Sequence, residues 1–327
     1  MIQLATIGTS MITGQLIAAV AQVPGIAFLG AYSRDADRAA AYAAKHGGRQ
    51  SWSDLDALMQ DPGVDAVYIA SPNALHAEQA HAALVAGKHV LLEKPAATTS
   101  AAWADLTALA RDRGLVLIEA MRSAYDPGMA AVRSILPRLG TLRRASFGYS
   151  QRSSRYDQVL RGEQVNIFDP AMGAGALMDL GVYCTSTMVQ LFGRPQRVFG
   201  ATVGLPTGTD GAGAAIAVYP DLVVDLSWSK ITASTRPCEI QGELGSLTYH
   251  QVAAPRQMEV TLLDGTTESI TVDAPGWNLA FEVERFVAAV GGADISTDQD
   301  WTTATLEILE TLAAPRADHG GRLEGRP

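Results

Sequence analysis

The nine residues from Gly87 to Pro95, GKHVLLEKP, constrain the fold of this chain more than any other stretch. An apolar run at 90–92 between a glycine and a proline predicts a short buried strand. Pro95 cannot donate a hydrogen bond to a neighbouring strand, so we expect the strand to end with Glu93 and Lys94. In open α/β sheets, ligands bind at the carboxyl ends of the strands. The stretch therefore predicts a ligand crevice here, although a Glu-Lys pair at a strand end is also typical of a solvated surface ion pair.

Strand, turn, helix and second strand follow one another in the first 32 residues. Ile2–Ile7 and Ile26–Tyr32 are predicted strands, and Gly8–Gly14 is a turn that opens a helix. This arrangement is the βαβ unit of a dinucleotide-binding fold. Because strands and helices keep alternating to about residue 120, residues 1–120 are predicted to form a doubly wound parallel sheet, a Rossmann domain.

The glycine pattern of the first turn is incomplete. Gly8, Ser10 and Thr13 occupy the places of the three glycines in G-x-G-x-x-G. Gly8 can form the tight turn, and Ser10 is small enough to let the backbone approach a pyrophosphate. Taken alone, this motif is weak evidence. The residues predicted to surround the pyrophosphate are Gly8, Thr9, Ser10, Met11 and Ile12.

The end of the second strand bears on the choice of cofactor. NAD sites usually carry an acidic residue there that accepts a hydrogen bond from the ribose 2′-hydroxyl. This chain has Ser33 and Arg34 instead, and Asp35 is placed as a helix N-cap. A hydroxyl followed by a guanidinium suits a 2′-phosphate, which predicts NADP. NAD remains the alternative if Arg34 stacks on the adenine or lies in solvent.

Beyond residue 120 the pattern changes to strands with short connections. The sequence Leu263–Thr266 (LDGT) is a tight hairpin signal, and alternation such as Val224, Leu226, Trp228 predicts strands with one covered face. Two amphipathic helices close the chain. Residues 121–327 are therefore predicted to form an α+β domain on a large, mostly antiparallel open sheet.

Composition excludes several classes of protein. A hydrophobic content of 47% with 18% charged residues is typical of a globular chain, and 327 residues favour two domains. A net charge of −9 argues against nucleic-acid or anionic-membrane partners. No apolar run reaches the ~20 residues of a membrane span. The two cysteines, Cys184 and Cys238, and the absence of a recognisable signal peptide predict a cytoplasmic protein, and no residue cluster has metal-ligand spacing.

Two stretches together resemble the Gfo/Idh/MocA oxidoreductase family, named for glucose–fructose oxidoreductase and inositol dehydrogenase. The first is Ala86–Pro95, preceded at family-like spacing by Pro72-Asn73 and His76, and the second is Gly173–Tyr183, GAGALMDLGVY. The resemblance covers nearly the whole chain. It implies that the cofactor also contacts a set of residues at the ends of the middle strands: Ser71, Pro72, Asn73, His76, Glu93 and Lys94. As a lone histidine, His76 can equally be a structural cap.

The second motif departs from the common family pattern D-x-G-x-H-x-x-D. This chain has Asp179 and Tyr183, with a tyrosine in place of the histidine, and Ser186 and Thr187 where the last carboxylate would be. It resembles the tyrosine branch, which includes glucose–fructose oxidoreductase and dihydrodiol dehydrogenases. That resemblance implies Tyr183 as proton donor and acceptor, with Lys94 beside it. Without the resemblance, Tyr183 is interpreted as an amphipathic residue of the core, and Asp179 as a carboxylate that interacts with the helix dipole.

The implied chemistry is physically reasonable. Oxidation of an alcohol carbon requires a base within ~3 Å of the hydroxyl proton and support for the developing alkoxide. An ammonium beside a phenol favours the phenolate, so Lys94 is expected to assist Tyr183 and to bind the substrate oxygen. Asp179 lies one helical turn before Tyr183 and is expected to orient Lys94 or a sugar hydroxyl.

Two further segments, residues 8–13 and 153–157, resemble a bacterial subgroup that includes NADP-dependent scyllo-inositol dehydrogenases. The predicted function is hydride transfer between NADP(H) and a CH–OH carbon of a sugar, inositol or related polyol. Dihydrodiol or aldose dehydrogenation and a non-catalytic dinucleotide-binding regulator are the alternatives. Family members commonly pair through the open face of the second sheet, which implies a homodimer or homotetramer. The candidate substrate-binding residues are Arg122, Tyr156, Asn166 and Asp179.

Overall fold

The structure is a computed structural model and describes residues 1–275 and 279–314. The strands are Ile2–Ile7 (β1), Ile26–Tyr32 (β2), Gln50–Trp52 (β3), Ala66–Ile69 (β4), His89–Glu93 (β5), Leu117–Ala120 (β6), Leu142–Ser150 (β7), Arg197–Gly204 (β8), Asp210–Val218 (β9), Val223–Ser229 (β10), Cys238–Gly242 (β11), Gly245–Tyr249 (β12), Gln257–Leu262 (β13) and Thr267–Thr271 (β14). The α-helices are Met11–Val20 (α1), Ala36–Lys45 (α2), Leu55–Gln60 (α3), His76–Val85 (α4), Ser100–Asp112 (α5), Arg122–Tyr125 (α6), Pro127–Ile135 (α7), Tyr156–Leu160 (α8), Val182–Phe192 (α9), Ala280–Val290 (α10) and Ser296–Ala313 (α11).

The first sheet is parallel and has the strand order β3-β2-β1-β4-β5-β6. The predicted Rossmann architecture is confirmed. The apolar run Val90, Leu91 and Leu92 forms the body of β5 and is fully buried, because helices cover both faces of the sheet. The strand order reverses between β1 and β4, and ligands of such sheets bind in the crevice at this point.

The second sheet has eight strands in the order β14-β13-β12-β11-β7-β10-β9-β8. Its neighbours are antiparallel except for β7 and β10, which pair in parallel, so the predicted mostly antiparallel sheet is confirmed. The alternation in β10 has the expected result: Val224, Leu226 and Trp228 are buried. The predicted hairpin at 263–266 joins β13 to β14.

The two closing helices return to the first sheet. Leu279, Val283 and Phe286, at and along α10, pack in one apolar cluster with residues of β1, β4 and β5. The α11 residue Glu310 accepts a hydrogen bond at 2.6 Å from Ser100 at the start of α5. A division at residue 120 stays a prediction, and residues 315–327 of the predicted second domain lie outside the described residues.

Candidate active site

Strand β5 carries Lys94 to the boundary between the two sheets. The Lys94 Nζ donates to Asp179 Oδ1 at 2.9 Å and to the Asp179 carbonyl oxygen at 3.0 Å. The Lys94 side chain is 14% exposed. Two residues that the sequence places 85 positions apart therefore form one ion pair.

A π-helical turn at Leu177–Gly181 carries Asp179, and α9 follows directly. π-Turns inside helices occur frequently at functional sites. Gly175 precedes the turn with φ +134°, and a Cβ there would lie 2.3 Å from Asp210 Oδ1. The other carboxylate oxygen of Asp210 accepts from the Leu177 amide at 2.8 Å and from Trp228 Nε1 at 3.0 Å. Asp210 thus fixes the entry to the turn that presents Asp179.

A second lysine pairs with the same carboxylate. The Nζ of Lys230, directly after β10, donates to Asp179 Oδ2, and Lys230 is 4% exposed. Lys230 carries no motif signal in the sequence, since it is a single lysine at the end of an alternating strand. The position of β10 between β7 and β9 brings it to the site, 51 residues after Asp179 in the chain.

The two lysines determine the charge of Asp179. Burial alone would raise the pKa of this carboxyl, but the ammonium groups of Lys94 and Lys230 hold the pKa well below its usual range. Burial would likewise lower the pKa of Lys94, and the Asp179 carboxylate raises it instead. At neutral pH the site therefore contains an ionised Asp179 and a protonated Lys94.

Cations surround the ring of Tyr183. The Lys94 Nζ lies 4.8 Å from the ring centroid and the Arg122 guanidinium carbon 5.1 Å from it, while Arg122 Nε donates to the Tyr183 hydroxyl at 3.4 Å. The ring of Tyr149 packs at a centroid distance of 5.5 Å. Two cations therefore lie within cation–π distance of the Tyr183 ring, and one of them contacts its hydroxyl.

The structure brings three of the four candidate substrate residues to this site. Arg122 is 6% exposed and contacts Tyr183 directly, so it lies deeper than a loop arginine in solvent would. Asn166 and Asp179 line a cavity of about 210 Å³. The Tyr156 ring instead packs on Phe168 at a centroid distance of 6.0 Å, under the Arg152 side chain. The described residues that line the cavity are Ser71, Pro72, Asn73, Asn166, Ile167, Met172, Ala174, Gly175, Asp179 and Lys230.

The turn after β1 has the geometry of an anion cradle. Gly8 has φ +118°, and a Cβ there would lie 2.7 Å from the Ala70 carbonyl oxygen, so only glycine allows this approach. Ser10 caps α1 by accepting from the Thr13 amide at 3.4 Å. Met11, the first residue of α1, is exposed. A pyrophosphate fits such an open helix N-terminus, where Thr9 and Ile12 also lie.

The residues after β2 fit a 2′-phosphate better than a free ribose hydroxyl. The Asp35 Oδ1 accepts from the Arg38 amide at 3.0 Å and thereby caps α2. The Ser33 hydroxyl accepts from the Asp35 amide at 3.3 Å, and Arg34 is exposed. Because the carboxylate of Asp35 serves the cap, a guanidinium and a hydroxyl remain as recognition groups at this strand end.

The other predicted cofactor residues fall into two groups. Ser71, Pro72 and Asn73 line the cavity, and Asn73 Nδ2 donates to the Gly173 carbonyl at 2.8 Å. His76 is fully buried, with its two ring nitrogens 2.9 Å from the carbonyl oxygens of Ser71 and Pro95. It therefore connects the two loops that border the cleft rather than lining the cleft itself.

Glu93 also lies beneath the cleft surface. It is 8% exposed and accepts a hydrogen bond from the Tyr68 hydroxyl, and burial raises the pKa of its carboxyl. Glu93 is thus adjacent to Lys94 in sequence but differs from it in surroundings.

Comparison with known proteins agrees with this geometry. Residues 2–121 match the model of the GFO/IDH/MocA oxidoreductase family with an NAD-binding Rossmann fold, and residues 136–248 match the GFO/IDH/MocA C-terminal domain. The chain is 37% identical to the NADP-dependent scyllo-inositol 2-dehydrogenase IolU of Bacillus subtilis, over 98% of each chain. The chain belongs to the GFO/IDH/MocA family. It is therefore an oxidoreductase with a nicotinamide dinucleotide cofactor, as predicted.

Two further relatives show the range of substrates among similar proteins. Trans-1,2-dihydrobenzene-1,2-diol dehydrogenase of Oryctolagus cuniculus is 32% identical over 65% of this chain and 64% of its own. The crystal structure of KijD10, a 3-ketoreductase from Actinomadura kijaniata in complex with TDP-benzene and NADP, superposes with a TM-score of 0.84 at 25% identity. That match covers 95% of this chain and 96% of the other.

Within residues 1–275 and 279–314, the structure can be searched for membrane-spanning helices and for metal-ligand clusters. In this part of the chain, helices are too short or too polar to cross a membrane. The same residues contain no group of three or more His, Cys, Asp or Glu side chains arranged to hold a metal ion.

Proposed function

We propose that this oxidoreductase transfers a hydride between NADP(H) and a CH–OH carbon of a cyclic polyol of the inositol type. The observation that carries the proposal is the Lys94–Asp179 ion pair beside Tyr183, at the carboxyl end of β5. The similarity to an NADP-dependent scyllo-inositol dehydrogenase over 98% of the chain supports the substrate class. Sugars and aromatic dihydrodiols are the competing substrates, the latter because of the similarity to dihydrodiol dehydrogenases.

The roles of the side chains follow from their charges. NADP, when bound, carries the hydride. The Tyr183 oxygen accepts the hydroxyl proton of the substrate during oxidation and returns it during reduction. The Lys94 ammonium donates to the same substrate oxygen and stabilises its developing negative charge. Asp179 keeps Lys94 protonated and oriented, since their ion pair is 2.9 Å long.

The cradle at Gly8 and the groups after β2 would hold the cofactor. The backbone of residues 8–12 and the N-terminus of α1 suit the pyrophosphate, and Ser33 and Arg34 suit a 2′-phosphate. Arg34→Ala is expected to raise the KM for NADP⁺ roughly 10-fold or more and to leave the KM for NAD⁺ within about 3-fold. Equal changes in the KM for NADP⁺ and for NAD⁺ would contradict a role of Arg34 in recognising the 2′-phosphate.

The main test measures initial rates at 340 nm with NADP⁺ and scyllo-inositol, myo-inositol, glucose and a trans-dihydrodiol. The wild type is compared with Lys94→Met and Tyr183→Phe. Both substitutions are expected to reduce kcat/KM for the preferred polyol at least about 100-fold, because each removes a group that acts on the reacting oxygen.

Two matched variants control for the loss of a lysine or of a buried hydroxyl. Lys45→Met removes an exposed lysine of α2, and Tyr249→Phe removes a buried hydroxyl without a hydrogen-bond partner in the described chain. Both should retain wild-type rates. Full activity in Lys94→Met or Tyr183→Phe would place the chemistry elsewhere, and a preference for the dihydrodiol would replace the polyol assignment.

Assembly and location form part of the same proposal. Exposed apolar side chains on the outward face of β8, β9 and β10 support a homodimer or homotetramer that pairs through this face; Phe199, Val203, Ile216 and Val223 are 39–56% exposed. A monomeric mass by light scattering at micromolar concentration would contradict this. The unpaired, buried Cys184 and Cys238 support a cytoplasmic location, which fractionation of the native cells would test.

A further inference from the structure

Lys230 is held rigidly at the wall of the cavity described above. Its amide donates to the Gly211 carbonyl oxygen at 2.8 Å, and its carbonyl oxygen accepts from the Ser153 amide at 2.8 Å. Its side chain is 5% exposed, and the Nζ lies 5.4 Å from the centroid of the Phe168 ring. Both backbone and side chain are therefore fixed before any ligand arrives.

The ammonium of Lys230 has hydrogen-bonding capacity to spare. It carries three N–H groups, and within the described residues only Asp179 Oδ2 accepts from it. A buried ammonium requires further acceptors, because one ion pair does not replace its lost hydration. The cavity that Lys230 lines is where such acceptors can be supplied.

The net charge of Lys94, Asp179 and Lys230 also favours a ligand that supplies hydrogen-bond acceptors. Asp179 already has a full counter-ion in Lys94, so the second lysine leaves the group with an excess positive charge. Neutralising Asp179 does not explain this second buried cation. An oxygen-rich ligand does explain it, because hydroxyl and carbonyl oxygens accept from an ammonium.

We propose that Lys230 binds the substrate directly and selects for a hydroxyl next to the reacting carbon. Lys94 and Lys230 donate to the two oxygens of one carboxylate, so neighbouring oxygens of one small ring can contact one lysine each. Lys94 takes the oxygen of the reacting carbon, and Lys230 takes the adjacent hydroxyl. This inference rests on the proposed function and deepens it, since it makes a vicinal diol the recognised unit.

The test is steady-state kinetics of Lys230→Met with NADP⁺ and scyllo-inositol. Loss of a charge-assisted hydrogen bond to the substrate is expected to raise the KM for the inositol roughly 30-fold, with the KM for NADP⁺ unchanged within about 2-fold. Lys88→Met is the matched control. Lys88 is also buried, but it donates to the carbonyl oxygens of Asp61 and Val64 at 2.8 Å, away from the cavity, and its loss should leave both KM values unchanged.

A double-variant cycle separates contact with the substrate from support of Asp179. If Lys230 touches the substrate, Lys230→Met still raises the KM for scyllo-inositol about 10-fold in an Asp179→Asn background. An unchanged KM in that background, or in the wild-type background, would overturn the proposal and leave the proposed function standing. A wild type that binds NADPH but turns over none of the polyols would refute the proposed function, and this inference with it.

Discussion

Carboxyl groups with different surroundings lie on both sides of Lys94: Asp179, whose side chain is 43% exposed, and three buried glutamates. On one side, Asp179 has two ammonium groups on its two oxygens. On the other side, Glu93, Glu119 and Glu282 lie between the first sheet and the closing helices, each less than 9% exposed. We call these three glutamates the acid layer.

The comparison shows that burial does not by itself decide whether a carboxyl is charged. Burial raises the pKa of Glu119 to about 7 and that of Glu282 well above its ordinary value, and the charge of Glu93 adds to both effects. Burial acts on Asp179 in the same direction, but two cations reverse the result. Among these acids, chemistry is therefore expected at Asp179, where two cations outweigh burial, rather than at the glutamates, whose carboxyl pKa burial raises.

The largest expected effect comes from removing the Asp179 carboxylate, which two lysines contact. Asp179→Asn leaves two buried ammonium groups without a counter-ion and removes the group that orients Lys94. We expect kcat/KM for the polyol to fall roughly 100- to 1000-fold and the free energy of unfolding to fall by about 3 kcal/mol. Initial rates at 340 nm measure kcat/KM, and urea unfolding measures the free energy of unfolding. Asp221→Asn, on an exposed aspartate, is the control, and wild-type activity in Asp179→Asn would contradict the comparison.

Glu119 provides a prediction about pH. Below pH 4.5 its carboxyl is protonated in both the folded and the unfolded chain. Between pH 4.5 and about 7 the unfolded chain releases this proton while the folded chain retains it. Stability therefore falls as pH rises through this window, by about 3 kcal/mol from this group.

Glu119→Gln imitates the protonated side chain and should remove that contribution. Its remaining oxygen can still accept one of the two present bonds, from the Ala96 amide at 2.9 Å or the Thr302 hydroxyl at 3.1 Å. Urea unfolding of both proteins at pH 4.5, 6 and 8 gives the comparison. If the free energy of unfolding changed with pH in the same way in wild type and in Glu119→Gln, Glu119 would not be protonated in the folded state at neutral pH.

The parts of the site that were predictable from sequence are those with local signals. Pro95 ends a buried strand and so places Lys94, and Gly8 marks a turn that requires a positive φ. Asp179 and Tyr183 share one motif. The positions of these residues depend on their immediate neighbours in the chain, so a local sequence pattern can indicate them.

The remaining parts depend on long-range packing. Lys230 reaches Asp179 through the position of β10 between β7 and β9, and a single lysine after a strand is typical of a solvated surface. Arg122 opens α6 and packs against Tyr183, a position that its neighbours in the chain do not indicate. The buried positions of Glu119 and Glu282 follow from the return of α10 and α11 to the first sheet, which periodicity within one helix cannot reveal.

A smaller effect is expected from the member of the acid layer that has no partner. Neither oxygen of Glu282 has a hydrogen-bond partner in the described chain. Because burial raises the pKa of its carboxyl, Glu282→Gln should increase stability as the pH rises above the ordinary glutamate pKa of 4.5, where the unfolded wild type releases a proton that the folded chain retains. Activity with the polyol should stay within about 3-fold of wild type. A 100-fold loss of kcat would instead make Glu282 part of the site.

The smallest expected effect tests how much one buried hydrogen bond within the acid layer contributes to stability. Tyr68 and Tyr249 are both almost fully buried, but only the Tyr68 hydroxyl has a partner in the described chain, the Glu93 carboxyl. Tyr68→Phe should therefore reduce the free energy of unfolding by about 1 kcal/mol more than Tyr249→Phe does. Each substitution removes one buried hydroxyl. The difference between the two changes in unfolding free energy, measured with urea, therefore gives the contribution of the hydrogen bond from Tyr68 to Glu93. Equal effects would mean that the hydrogen bond from Tyr68 to Glu93 adds nothing measurable to stability, and the contrast with the ion-paired Asp179 would then be larger than proposed.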